Sequence, residues 1–152
     1  MKLWIAALSL ALAACATAPA PPATGYDPAL AQRLGADERG MKMYVLVILK
    51  TGPNTTLTDA EKRPLFEGHF SNMARLAEAG KLVAAGPFGT NDRQWRGLFL
   101  FDVKTVAEAE ELTRTDPAVA AGIFSIEATP WYGSAALMET PAIHKRLEKP
   151  AG

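Results

Sequence analysis

Cysteine is nearly absent from this 152-residue chain; Cys15 is the only one. No internal disulfide can form, so a folded domain here must be held by burial and not by cross-links. Histidine is scarce too, with only His69 and His144, far apart in sequence. Two isolated histidines and one cysteine leave no metal-ligand spacing, and no metal is expected. The chain has no Gly-x-Ser-x-Gly elbow, no phosphate-cradling loop and no dinucleotide fingerprint, so neither nucleotide nor other cofactor is expected. Neither sign of charge dominates: 16 Lys+Arg stand against 16 Asp+Glu. No basic cluster interleaved with aromatics is present, which sets nucleic acid aside as a partner. The longest apolar stretch, residues 3–11, is too short to span a bilayer as a mature helix.

That stretch reads instead as targeting. Lys2 supplies a positive n-region, the apolar run follows, and Leu12-Ala13-Ala14-Cys15 closes it. The motif resembles the lipobox of bacterial lipoproteins, in which cleavage precedes the cysteine and the thiol is lipidated. Residues 1–14 are therefore expected to be a signal peptide, and Cys15 the lipid acceptor that ties the chain to a membrane. Each buried acyl CH₂ contributes about 0.8 kcal/mol, so several acyl chains anchor firmly. Ala16 is not aspartate, which in Gram-negative lipoproteins favours the outer membrane, facing the periplasm. Removing Lys2 with the signal leaves 15 Lys+Arg against 16 Asp+Glu, a net charge of −1. Residues 15–42 form the expected tether, opening with ATAPAPPATG, which has no apolar periodicity and leans to polyproline II. Within it Asp27, Pro28 and Gly35 have the order of an N-cap, a first helical residue and a C-terminal glycine, so a short helix is expected.

The domain proper is expected over residues 43–133. MYVLVILK, residues 43–50, is a nearly continuous apolar run of central-strand length. Thr58 with Glu61 is a capping box, and Pro64 beyond it predicts a break or kink before a main helix reaching Ala79, with Gly80 after it. A strand over 82–88 ends at Gly86-Pro87, a loop covers 89–93, and a third strand takes 95–103. Thr105 and Glu108 form a second capping box opening a helix to Thr115. Asp116-Pro117 starts a further turn of helix, and residues 124–132 make the fourth strand. Residues 134–152 are expected to be a polar, mobile tail in which His144 is solvated and idle.

Projected at about 100° per residue from Leu65, the long helix puts Leu76 at about 20°, Met73 at about 80°, Phe66 at about 100°, Ala77 at about 120° and Phe70 at about 140°. Glu67, Ser71, Arg75 and Glu78 fall on the opposite side. His69 falls at about 40°, inside the apolar arc, so it points at the core. A histidine there is either a satisfied core residue or a base shielded from water. Asp116, before a proline, is first of all a natural N-cap.

The order strand, helix, strand, strand, helix, strand is the ferredoxin-like α+β arrangement: one four-stranded antiparallel sheet with the helices on one face. Within that order the residues resemble the YCII-related (YciI-like) family of the dimeric α/β-barrel superfamily. The resemblance is carried by His69 in HFSNMARLAEAGKLVAAGPF, by Gly86-Pro87-Phe88, by Asp116-Pro117 before AVAAGIFSIE, and by Pro130-Trp131-Tyr132. It implies a homodimer with sheets face to face, and a pocket where His69 and Asp116 meet as a catalytic pair. Pro87, Phe88 and Trp131 are the expected substrate-binding residues. Some superfamily relatives bind haem through a helical histidine; an aspartate partner suits acid–base work better.

The reading is an envelope-anchored domain with a small-molecule pocket, acting as a cofactor-independent lyase, isomerase or hydrolase by His–Asp proton transfer. The alternative is a ligand-binding, accessory or interaction lipoprotein that performs no chemistry, the histidine in the last case being purely structural. The uncovered sheet face is expected to present alternate apolar residues from all four strands and to pair with a second copy.

Overall fold

The computed structural model describes residues 25–149. The expected signal peptide, Cys15 and the first part of the tether lie outside the described residues. The elements are α1 (Pro28–Leu34), β1 (Met41–Thr51), α2 (Asp59–Glu78), β2 (Leu82–Pro87), β3 (Trp95–Phe101), α3 (Val106–Arg114), α4 (Pro117–Ala120), β4 (Phe124–Ser134), a 3-10 turn (Ala135–Glu139) and α5 (Thr140–Leu147). The strands form one sheet in the order β2-β3-β1-β4, every neighbouring pair antiparallel, which is the ferredoxin-like α+β fold.

β1 is central because its residues are apolar on both faces. Val45, Val47 and Leu49 point to the helices and join Leu76, Phe99, Phe101, Ala109, Ala118 and Phe124 in the main core. Tyr44, with Val83 and Leu100, forms a second cluster on the outer face. Tyr44 is 1% exposed; its hydroxyl donates to the Ser134 carbonyl at 3.0 Å, and burial, with Asp102 nearby, pushes the phenol up to about 12.

The tail departs from expectation. It is not mobile coil: the 3-10 turn lays Leu137 and Met138 over the Tyr44 cluster, and α5 continues alongside the β2 edge. Leu137 and Met138, with the buried Ala135, dock it because the outer face offers an apolar surface that water would otherwise meet. The outer face also differs from the alternation expected of all four strands. β1 and β3 supply Leu46, Ile48, Leu98 and Leu100, but the β4 residues opposite them are Thr129 and Glu127. Charge and polarity on an exposed edge strand discourage indiscriminate strand pairing.

Local signals set the ends of the helices. Asp27 accepts from the Leu30 amide at 2.9 Å to start α1, and Gly35, at φ 68°, ends it. Both capping boxes form, Thr58 with Glu61 and Thr105 with Glu108. At the end of α2 the Lys81 amide donates to Leu76 O and the Gly80 amide to Ala77 O, with Gly80 at φ 68°. This is the paired closure that requires a left-handed residue. The break expected at Pro64 is absent; α2 runs unbroken through it. Proline removes one helical donor, but Ala60 and Pro64 are both exposed, so water can satisfy the freed carbonyl.

Candidate active site

His69 lies midway along α2 on its buried side, 7% exposed, and Asp116 just before α4 is fully buried. His69 Nδ1 lies 2.6 Å from Asp116 Oδ2. The other oxygen, Oδ1, accepts from the amides of Ala118 at 2.9 Å and Val119 at 3.4 Å. One carboxylate thus fills both roles open to it in the sequence: one oxygen caps α4 and the other orients an imidazole. The short His–Asp contact carries the proton on Nδ1 when the ring is neutral, which leaves Nε2 as the free lone pair. Among the described residues Nε2 has no hydrogen-bond partner, and it is not sealed from the surface.

The approach of α4 to α2 depends on Gly68. A Cβ at that position would stand 2.8 Å from Pro117 Cγ. Mid-helix glycine costs about 1 kcal/mol relative to alanine, so its presence here marks a packing demand. The demand is made by the residue next to Asp116.

Four phenylalanines surround the imidazole. Phe99 stacks on it at 5.9 Å between centroids and 29° between planes, while Phe66, Phe70 and Phe124 approach at 6.3, 5.4 and 5.6 Å. His69, Phe66, Phe70, Phe99 and Phe124 line a cleft of about 240 Å³, floored by Gly86, Pro87 and Gly97 where the β2–β3 ladder carries little side-chain bulk. Arg96 stands in the lining as its cationic residue. A largely apolar cleft with one lone pair opening into it suits a compact ligand and strengthens electrostatic interactions formed there.

Of the residues expected at the site, the structure brings His69, Asp116 and Pro87 together. Phe88 is not in the cleft lining; it packs on Trp95 at 5.4 Å. Trp131 lies on the outer face of the sheet, against Tyr44 at 5.9 Å, with its ring over Gly133. The reason is strand parity. Trp131 pairs with Tyr44, and Val45 and Pro130, one step on, face the helices. Phe66, Phe99 and Phe124 read only as core in the sequence, because an aromatic wall and an aromatic core share one pattern.

A second cavity, of about 450 Å³, lies between α2, β2 and α5, and shares Phe70 and Met73 with the cleft. His144 lines it and pairs with Glu148 at 3.2 Å on its solvent side. Among the described residues, no group of three or more His, Cys, Asp or Glu gathers as metal ligands, and no helix is long and apolar enough to cross a membrane.

Comparison with known proteins adds the family. Among curated proteins none matches the chain. A solved structure similar to it is 5-chloro-2-hydroxyhydroquinone dehydrochlorinase from Burkholderia phenoliruptrix in complex with 2,5-dihydroxybenzoquinone. It is 19% identical over 58% of this chain and 92% of that one, at a TM-score of 0.43. The model of the YCII-related domain matches residues 43–131, more than half the chain, from within the first strand to within the fourth. On that match the chain belongs to the YCII-related domain family.

Proposed function

We propose that the domain binds a compact small molecule in the His69 cleft and moves a proton on it without a cofactor. One observation carries the reading: Nδ1 of His69 is held 2.6 Å from a buried carboxylate while Nε2 is left to the cleft. Nε2 takes the proton from a C–H or O–H acid of the ligand. The imidazolium so formed is balanced by Asp116. The proton returns to another carbon or oxygen of the ligand in an isomerase, or to the departing group as the bond to it breaks in a lyase; in a hydrolase the O–H acid is a water, whose oxygen bonds to the ligand while the proton goes to the leaving group. Screening small C–H and O–H acids against the protein, by NMR for binding and by solvent deuterium exchange for proton transfer, tests it. His69→Ala should lower exchange or turnover by about 10²–10⁴-fold, and Asp116→Asn should fall in the same range, since its amide oxygen keeps the cap while its NH2 faces Nδ1 and moves the ring proton to Nε2. Ligand bound with unchanged exchange in His69→Ala would favour a binding module instead.

The lipobox supports a place for this domain in the bacterial envelope, held by lipid on Cys15 at the outer membrane and facing the periplasm. Changing Cys15 to Ser should move the protein out of the membrane fraction or leave the precursor uncleaved. Mature-sized Cys15→Ser protein still in membranes would sink the anchor. A homodimer through the outer sheet face is the proposed assembly, supported by Leu46 and Leu98, which stay half-buried there.

A further inference from the structure

Next to the His69–Asp116 pair lies a polar knot that neither the cleft nor the caps account for. Asn72 is one turn along α2 from His69 and 7% exposed. Thr115 immediately precedes Asp116 and is the C-cap of α3. Arg75 Nη2 bridges the two, 2.6 Å from Asn72 Oδ1 and 2.9 Å from Thr115 Oγ1, and Thr115 Oγ1 is itself 3.0 Å from Asn72 Oδ1. The threonine hydroxyl also lies 2.7 Å from the Leu112 carbonyl. The donors fit one arrangement. Arg75 gives a proton to each oxygen, and the threonine's single proton goes to Leu112 O or Asn72 Oδ1. The amide cannot be turned round, because Nδ2 would then face the guanidinium.

This orientation has a cost. Asn72 Nδ2 is buried with no partner, so its loss of hydration is not compensated by a hydrogen bond. A helix junction needing only adhesion would be served by an apolar residue at position 72. We infer that Asn72, Arg75 and Thr115 are positioning residues that set the orientation of the Asp116 carboxylate against His69. The geometry explains why such a device is needed. Asp116 Oδ1 belongs to the frame of α4 and Oδ2 faces a ring carried by α2, so the carboxylate plane is correct only if the two frames keep one relative position. α4 is a single turn and cannot hold that position alone. The knot ties α2 to the residue beside Asp116, on the same side of α2 as His69, and resists rotation of the α3–α4 junction. This inference rests on the His–Asp reading above.

The test reads the tautomer of His69 from its ring ¹⁵N shifts in the full-length chain, a property that mere adhesion of helices would not move. Thr115 is exposed, so Thr115→Val removes the hydroxyl at nearly constant shape without burying a new group. Asn72→Leu removes the buried amide, and Thr115→Ser restores the hydroxyl. Thr115→Val and Asn72→Leu should each shift the tautomer ratio toward Nε2–H by about fivefold, the worth of about one net hydrogen bond. Thr115→Ser should match the parent. Asp116→Asn serves as the reference in the same spectra. If Asp116→Asn shifts the ratio while folded Thr115→Val and Asn72→Leu do not, the positioning role is overturned and the pair survives. If Asp116→Asn itself has no effect, the pair reading fails first and the positioning role with it. Should Asn72→Leu not fold, Thr115→Val and Thr115→Ser decide the matter between them.

Discussion

At the scale of single residues, the geometry of the His69–Asp116 pair depends on a missing side chain, that of Gly68, as much as on the pair itself. Alanine in place of a mid-helix glycine normally stabilises by about 1 kcal/mol. At position 68 the new methyl would meet Pro117 Cγ at 2.8 Å, against a ring that cannot swing away. Gly68→Ala should therefore lower the melting temperature and broaden the His69 ring signals, because α4 must retreat and take Asp116 with it. A melting temperature above the parent's would show that α4 yields at no cost. Phe70 makes the opposite point. Its projection put it at the edge of the apolar arc, yet it is 63% exposed. It stands between the cleft and the α5 cavity, where lining a space takes the place of filling a core.

At the scale of elements, the two long helices begin with the same device and share a pH dependence. The Thr58 hydroxyl and amide bonds hold the Glu61 carboxyl below its ordinary value. The amides of Lys104 and Thr105, chiefly, do the same for Glu108. A folded pKa below the unfolded one stabilises the native state above the unfolded value, near 4.5 here, and the stabilisation fades as pH falls through the folded value. Both glutamates are exposed, so the effect is modest and salt-dependent. A Thr58→Ala/Thr105→Ala variant should lose stability at neutral pH, about 0.5–2 kcal/mol for each cap. A Glu61→Gln/Glu108→Gln variant, which removes the titrating groups themselves, should show a shallower loss on acidification from about pH 5 to 3. Parallel acid curves for variant and parent would rule the caps out as its source. The tail makes a second element-scale case. Leu137 lies over Tyr44, Val83 and Leu100. Leu137→Asp should destabilise by about 1–3 kcal/mol through lost burial and should release α5, seen as faster amide exchange over residues 135–147. Unchanged exchange there would mean that the docking rests on other contacts.

At the scale of the whole molecule, the proposed homodimer rests on the outer sheet face. Its β2 side is occupied by the chain's own tail, and a strip around Leu46 and Leu98 is left beside the polar β4 edge. A second copy would use that strip together with Trp131, which is 40% exposed and held flat by the missing side chain of Gly133. Light scattering should report twice the monomer mass at micromolar concentration, and Leu98→Glu should halve it. A monomeric parent would mean that the tail has replaced the second copy as the cover of this sheet.

Signals that act over a few residues were already complete in the chain. Asp27-Pro28…Gly35, the two Thr-x-x-Glu boxes, Gly80 after Ala79 and Gly86-Pro87 after Leu82 depend on backbone groups within a turn of themselves, so they mark the element ends without tertiary help. The apolar period of α2 likewise turned His69 inward before any partner was known. Asn72 also projects within about 20° of Leu65 on that arc, a polar residue on a core face, and could have been singled out on that ground. The fold class follows from the order of elements and the family from residues spread across them. What only the tertiary structure decided are relations between distant segments. These are the 2.6 Å approach of His69 to Asp116 across 47 residues, the exclusion of Phe88 and Trp131 from the cleft, and the folding of the tail over the outer face. The physical reason is common to all three. A contact across the sheet depends on strand parity, register and which apolar surface is left open, and those are properties of the assembled layers that no local window contains.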